Sequence, residues 1–91
     1  MCARPKSDYK IDYCPPCLLF KPQGFSSDQI VEITAEEAEA LRLKNIKNLD
    51  QTEAAKKMNI SQSTFQRILT SAYKKVSEAL ILGKEIIIKN K

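Results

Sequence analysis

Cys14-Pro-Pro-Cys17 is the pair of side chains in this 91-residue sequence whose spacing best suits metal or redox chemistry. A C-x-x-C turn can present two thiolates to one zinc or iron ion, and Cys2 would supply a third ligand. The chain has no histidine, so the fourth position falls to a carboxylate, a water or a cysteine of another subunit. The simpler reading is unpaired thiols in a loop. Three cysteines cannot all close into an intramolecular disulfide framework, which fits a reducing, cytoplasmic compartment. A thioredoxin-like use is disfavoured, because no β-α-β frame places the pair at a helix start.

Catalysis has less to work with. There is no histidine, no nucleophile with a partner base and no glycine-rich phosphate loop, so a non-enzyme is expected. A richer set for recognition is Gln51, Ser61, Gln62, Ser63, Gln66, Arg67, Thr70, Lys74 and Lys75. Glutamine can pair with N6 and N7 of adenine, and arginine with O6 and N7 of guanine. Lysines and the starts of helices suit phosphates. The expected division gives bases to Gln62, Ser63 and Gln66, and phosphates to Lys74, Lys75, Gln51 and Ser61.

Such a set works only if helices hold it on one side. Thr34 followed by Glu37 has the spacing of a capping box, which predicts a helix over about 34–47. Asp50 and Glu53 repeat the pattern ahead of a short helix over about 51–58. Ser61 is the expected N-cap of a long helix over about 62–82, and Gly83 its stop. At 100° per residue, Phe65, Ile68, Leu69, Ala72, Val76 and Ala79 fall on one side of that helix. Gln62, Ser63, Gln66, Arg67, Thr70 and Lys74 fall on the other. Between the last two helices, Ala54 and Ala55 permit close approach and Asn59 tolerates positive φ. Ile60, Phe65 and Ile68 fill the space behind. That combination within twenty residues reads as a helix-turn-helix from Gln51 to Thr70.

The flanks are less regular. Residues 1–29 hold all four prolines and are expected to be an irregular arm, with Arg4-Pro5-Lys6 either a basic arm for a minor groove or, the favoured reading, a disordered terminus. Ile30 to Ile33 could form a short strand, and Glu85 to Lys89 reads as a second. The expected fold is therefore mainly α: a three-helix domain over 30–91 with an irregular N-terminal arm and a short C-terminal strand. No apolar run is long enough to span a bilayer, and Met1 to Lys10 lacks the apolar stretch of a secretory signal. A membrane association is not expected.

The net charge of +4 has a location. Residues 1–33 and 34–58 each balance, whereas 59–91 carry Arg67, Lys74, Lys75, Lys84, Lys89 and Lys91 against Glu78 and Glu85 only. A local basic excess suits a polyanion, because neutralising phosphates releases condensed counterions.

Glu39-Ala-Leu-Arg-Leu43, Gln51-Thr-Glu-Ala-Ala55, Met58-Asn-Ile-Ser61, Thr64-Phe65, Arg67-Ile-Leu69, Lys75-Val76 and Gly83-Lys84 resemble an uncharacterised prokaryotic family of small proteins proposed to bind DNA, domain of unknown function 134. Phe20-Lys-Pro22, Gly24 and Arg4-Pro5 extend the likeness over nearly the whole chain. The family's helix-turn-helix is in turn similar to region 4 of bacterial sigma factors, which implies a third helix lying in the major groove. This chain has Asn59 where relatives carry glycine, and Gln62 where an arginine often follows the capping serine. It has Asn45 and Tyr73 where relatives show aspartate and arginine. The first change is tolerable to the turn, the second shifts a guanine or phosphate contact toward adenine, and the third replaces an ion pair between the first and third helices by packing or a hydrogen bond.

Two readings compete: a sequence-specific DNA-binding protein that regulates transcription on double-stranded DNA, and a metal- or thiol-dependent module that binds a protein through the Cys14/Cys17 pair. A homodimer or higher oligomer is expected with the first. One such module covers few base pairs, and Ile86 to Ile88 would leave apolar side chains exposed unless a second strand or subunit covers them.

Overall fold

A computed structural model describes residues 18–24 and 28–89. In chain order these form β1 (Leu19–Phe20), β2 (Ile30–Ile33), α1 (Ala35–Leu41), a π-helical turn (Arg42–Ile46), α2 (Gln51–Lys57), α3 (Gln62–Leu82) and β3 (Glu85–Ile88). The three helices pack on one another, and a small sheet lies against α3.

Local chemistry sets the helix ends. The Thr34 hydroxyl accepts from the Glu37 N–H at 3.1 Å while the Glu37 carboxylate accepts from the Thr34 N–H at 2.9 Å, the reciprocal capping box that starts α1. Asp50 caps α2 by accepting from the Glu53 N–H at 2.8 Å, and Ser61 caps α3 by accepting from the Thr64 N–H at 3.2 Å. Gly83, at φ 70°, closes α3 in the left-handed conformation, and the Lys84 N–H bonds the Ala79 carbonyl at 3.0 Å.

The first helix departs from the expected continuous α-helix over 34–47. After Leu41 it widens by one residue per bond, with the Lys47 N–H reaching the Arg42 carbonyl at 2.9 Å. Asn48 then turns the chain at φ 59°. The wider turn keeps Leu43 buried and leaves Ile46 73% exposed.

The α2–α3 connection runs through Met58, Asn59, Ile60 and Ser61. Asn59 stands at φ 60°, the conformation its side chain tolerates, and the Ile60 N–H bonds the Ala55 carbonyl at 3.0 Å. Ala54 and Ala55 are buried, so the helices approach closely. Phe65 and Met58 are the largest fully buried side chains, joined in one cluster by Ala40, Leu43 and Leu69. Leu41, Leu49, Ile60 and Ile68 close its rim. The side of α3 expected to pack is the side that does: Phe65, Leu69, Ala72 and Ala79 are buried, and Ile68 and Val76 half-buried.

The sheet has the order β1-β3-β2. β2 and β3 are parallel, Val31 facing Ile86 and Ile33 facing Ile88, with all the helices forming the crossover between them. Val31 and Ile33 point inward and Ile30 and Glu32 outward, the alternation of a half-covered strand. On the other side β1 runs antiparallel, Phe20 facing Ile86. Both edges of β3 are thus taken within the chain, and its isoleucines are half-buried. The reason for expecting a second copy at Glu85 to Lys89 is met internally, and the arm anticipated as irregular over 1–29 contributes a strand at Leu19–Phe20.

Candidate nucleic-acid interface

The outward side of α3 carries Gln62, Ser63, Gln66, Arg67, Thr70 and Lys74, all exposed, as the helical spacing requires. Gln51, the first residue of α2, is half-buried and lies against them. Its amide nitrogen donates to Gln66 Oε1, and its Oε1 accepts from Gln62 Nε2 in a longer contact of 3.4 Å. Thr52 Oγ1 donates to Gln62 Oε1 at 3.4 Å, and Gln66 Nε2 donates to Thr70 Oγ1 at 3.1 Å. Gln51, Gln62, Gln66 and Thr70 are therefore brought together, and Thr52 joins them. Thr52 is absent from the set expected from sequence, although its place one residue after Gln51 in the first turn of α2 is a usable signal.

Ser61 serves its own helix. Besides capping, its hydroxyl donates to Thr64 Oγ1 at 2.9 Å and lies 3.3 Å from that of Ser63. Arg67 and Lys74 have no ion-pair partner among the described residues, so both cations are available to an external anion.

Lys75 is placed differently from the expected phosphate contact. It pairs with Glu37 of α1 at 2.9 Å, and its side chain is only 34% exposed. Glu37 is itself buried and also accepts from the Ser71 hydroxyl at 2.5 Å. Burial pushes its carboxyl up, but hydrogen bonds from Ser71, Thr34 and Lys75, with the charge of Lys75, outweigh this and hold it below the usual carboxylate range. Lys84 is bound to Glu78, which it holds in the ionised form below its ordinary range, and Lys89 lies 3.6 Å from Glu32. Three of the basic groups that gave residues 59–91 their excess are thus answered by carboxylates.

Of the two substitutes expected for an ion pair between the first and third helices, packing or a hydrogen bond, the structure has the hydrogen bond: Asn45 Nδ2 donates to Tyr73 Oη at 2.9 Å, and Tyr73 Oη lies 3.1 Å from Asn45 Oδ1. Arg42 makes a bidentate pair with the buried Glu39, at 2.8 and 3.0 Å. Cys2, Cys14 and Cys17, and Arg4-Pro5-Lys6, lie outside the described residues. Among the described residues no group of three or more histidine, cysteine, aspartate or glutamate side chains is placed to hold a metal, and no helix is long and apolar enough to cross a membrane.

The family described as a protein of unknown function, DUF134, matches residues 1–91. A UPF0251 protein of Halothermothrix orenii is 44% identical over 86 residues, covering 92% of this chain and 64% of the relative. One of Desulforudis audaxviator is 44% identical over 85 residues, 91% of this chain and 56% of the relative. A third, of Dehalococcoides mccartyi, is 46% identical over 85 residues, 91% of this chain and 73% of the relative. The chain thus spans less than two thirds of the length of the first two. No solved structure matches it. With its full length matched and relatives this similar across nine tenths of it, the chain belongs to the DUF134 family, whose curated members carry the name UPF0251 protein.

Proposed function

We propose that this protein binds double-stranded DNA sequence-specifically as a transcription regulator. In this reading α2, the four-residue turn and α3 are a helix-turn-helix similar to sigma factor region 4, with α3 in the major groove. The observation that carries it is the outward side of α3. Hydrogen-bonding side chains and two unpaired cations stand there in a row, anchored from behind by Phe65 and from beside by Gln51. A face built only to be solvated has no need of partners on a second helix.

Selection of bound duplexes from a random pool tests the reading, and the expected result is a recurrent sequence. Two copies on one duplex would give half-sites about 34 Å apart, or a multiple of that spacing. Against the selected site, Gln62→Ala or Arg67→Ala should weaken binding by about 1–3 kcal/mol without altering the fold, because neither side chain is packed. Lys74→Ala should instead weaken binding to all sequences alike and make the dependence of log affinity on log salt shallower by about 0.9. Lys75→Ala should leave that slope unchanged, since Lys75 is committed to Glu37. A pool that yields no preferred sequence, or binding indifferent to salt, would overturn the reading.

A further inference from the structure

Within the DNA-binding reading, on which this inference rests, we infer that Gln51 is a positioning residue that locks the amides of Gln62 and Gln66 together so that both read adenine. The two ends of a carboxamide are nearly the same shape and differ only in that one donates and the other accepts. A glutamine alone on a helix surface can rotate to suit several bases. Here the amides are tied in series: Thr52 donates to Gln62, Gln62 to Gln51, Gln51 to Gln66 and Gln66 to Thr70. Turning over Gln51 alone would set donor against donor toward Gln62 and acceptor against acceptor toward Gln66. Turning over Gln62 or Gln66 alone would make one such clash with Gln51, since only the outer Thr52 and Thr70 hydroxyls can either donate or accept. The three turn over together or not at all.

What the series leaves free decides the partner. Each NH2 group has a second hydrogen, and each Oε1 a second lone pair. Gln62 and Gln66 therefore each offer one donor and one acceptor outward, matching adenine, whose N7 accepts and whose N6 donates. Guanine presents two acceptors, N7 and O6, which such an amide can satisfy only by half. Four residues of helix separate Gln62 from Gln66 by about 6 Å. Base pairs rise about 3.4 Å, so the two adenines fall at neighbouring positions or with one base pair between them.

The test is duplex selection with the unaltered protein, Gln51→Ala, Gln51→Glu and Gln62→Ala, each first shown to keep its thermal midpoint. The unaltered protein is expected to select adenine at two nearby positions. Gln51→Ala should relax both preferences, by roughly five-fold or more each, whereas Gln62→Ala should relax one. Gln51→Glu keeps the acceptor toward Gln62 and loses the donor toward Gln66. It should relax the Gln66 position alone, while its added charge lowers affinity for every sequence. Preferred sites without the two adenines, or adenine preferences that survive Gln51→Ala, would overturn the inference and leave the DNA-binding reading standing. A protein that retains no DNA at all would overturn both.

Discussion

Replacing Phe65 by alanine is expected to cost about 3–5 kcal/mol, the usual range for emptying an aromatic site in a packed core. Phe65 is fully buried and belongs to one cluster with Ala54, Ala55 and Met58 of the α2 segment and Ala40 and Leu43 of the first helix. The neighbours cannot easily close over the cavity. Three are alanines with no side chain to extend, and Met58 is already fully buried. For a chain of this size each kcal/mol moves the thermal midpoint by about 4–8 °C, so a fall on the order of 20 °C should appear in a circular dichroism melt. Total stability for 91 residues is about 5–14 kcal/mol, and the variant would keep only part of it. Phe65→Leu, which retains most of the volume, should recover much of the loss. A Phe65→Ala protein melting within two or three degrees of the parent would show that the cluster does not hold α2 against α3.

How far the sequence discloses this arrangement depends on how local each interaction is. The caps at Thr34, Asp50 and Ser61, the left-handed Asn59 and Gly83, and the two sides of α3 each follow from residues within one or two turns of each other, and all are legible. β1 is not. Leu19-Phe20 shows no alternation, and it is a strand only because β3, more than sixty residues later, has an open edge there. The π-helical turn carries no pattern that separates it from the α-helix before it. Charge misleads for the same reason: Lys75 reads as a free cation until the fold brings Glu37 to it across 38 positions. The glutamine row is half-legible. Its members on α3 follow from the helical wheel, but the bond from Gln51 needs the angle between two helices, which no spacing encodes.

Glu37 is the polar counterpart of Phe65, and its removal is expected to be the next most damaging change. One carboxylate completes the cap of α1 through Thr34 and ties α1 to α3 through Ser71 and Lys75. Glu37→Ala leaves the Thr34 N–H and the Ser71 hydroxyl without their partner in a partly buried place, and should cost about 2–4 kcal/mol. Lys75, a third exposed, can turn toward water, which keeps the loss below that of a fully buried ion pair. Acid should reproduce part of the effect. The carboxyl is held below its ordinary value of 4.5 in the folded chain, so the stability it contributes is fully present above pH 4.5 and is lost as pH falls through the lower, folded value. Glu78 is shifted in the same direction by Lys84 and adds to the same acid limb. Glu37→Gln separates charge from hydrogen bonding, because its oxygen can still accept from Thr34 and its amide can donate to Ser71. It should be less damaging than alanine and should flatten the fall in stability below pH 4.5, with Glu78→Gln removing the remainder attributable to Lys84. Denaturant unfolding of the three variants from pH 7 to pH 3 measures both effects. An acid limb as steep in Glu37→Gln as in the parent would mean that the carboxylate beneath α3 is not what acid disarms.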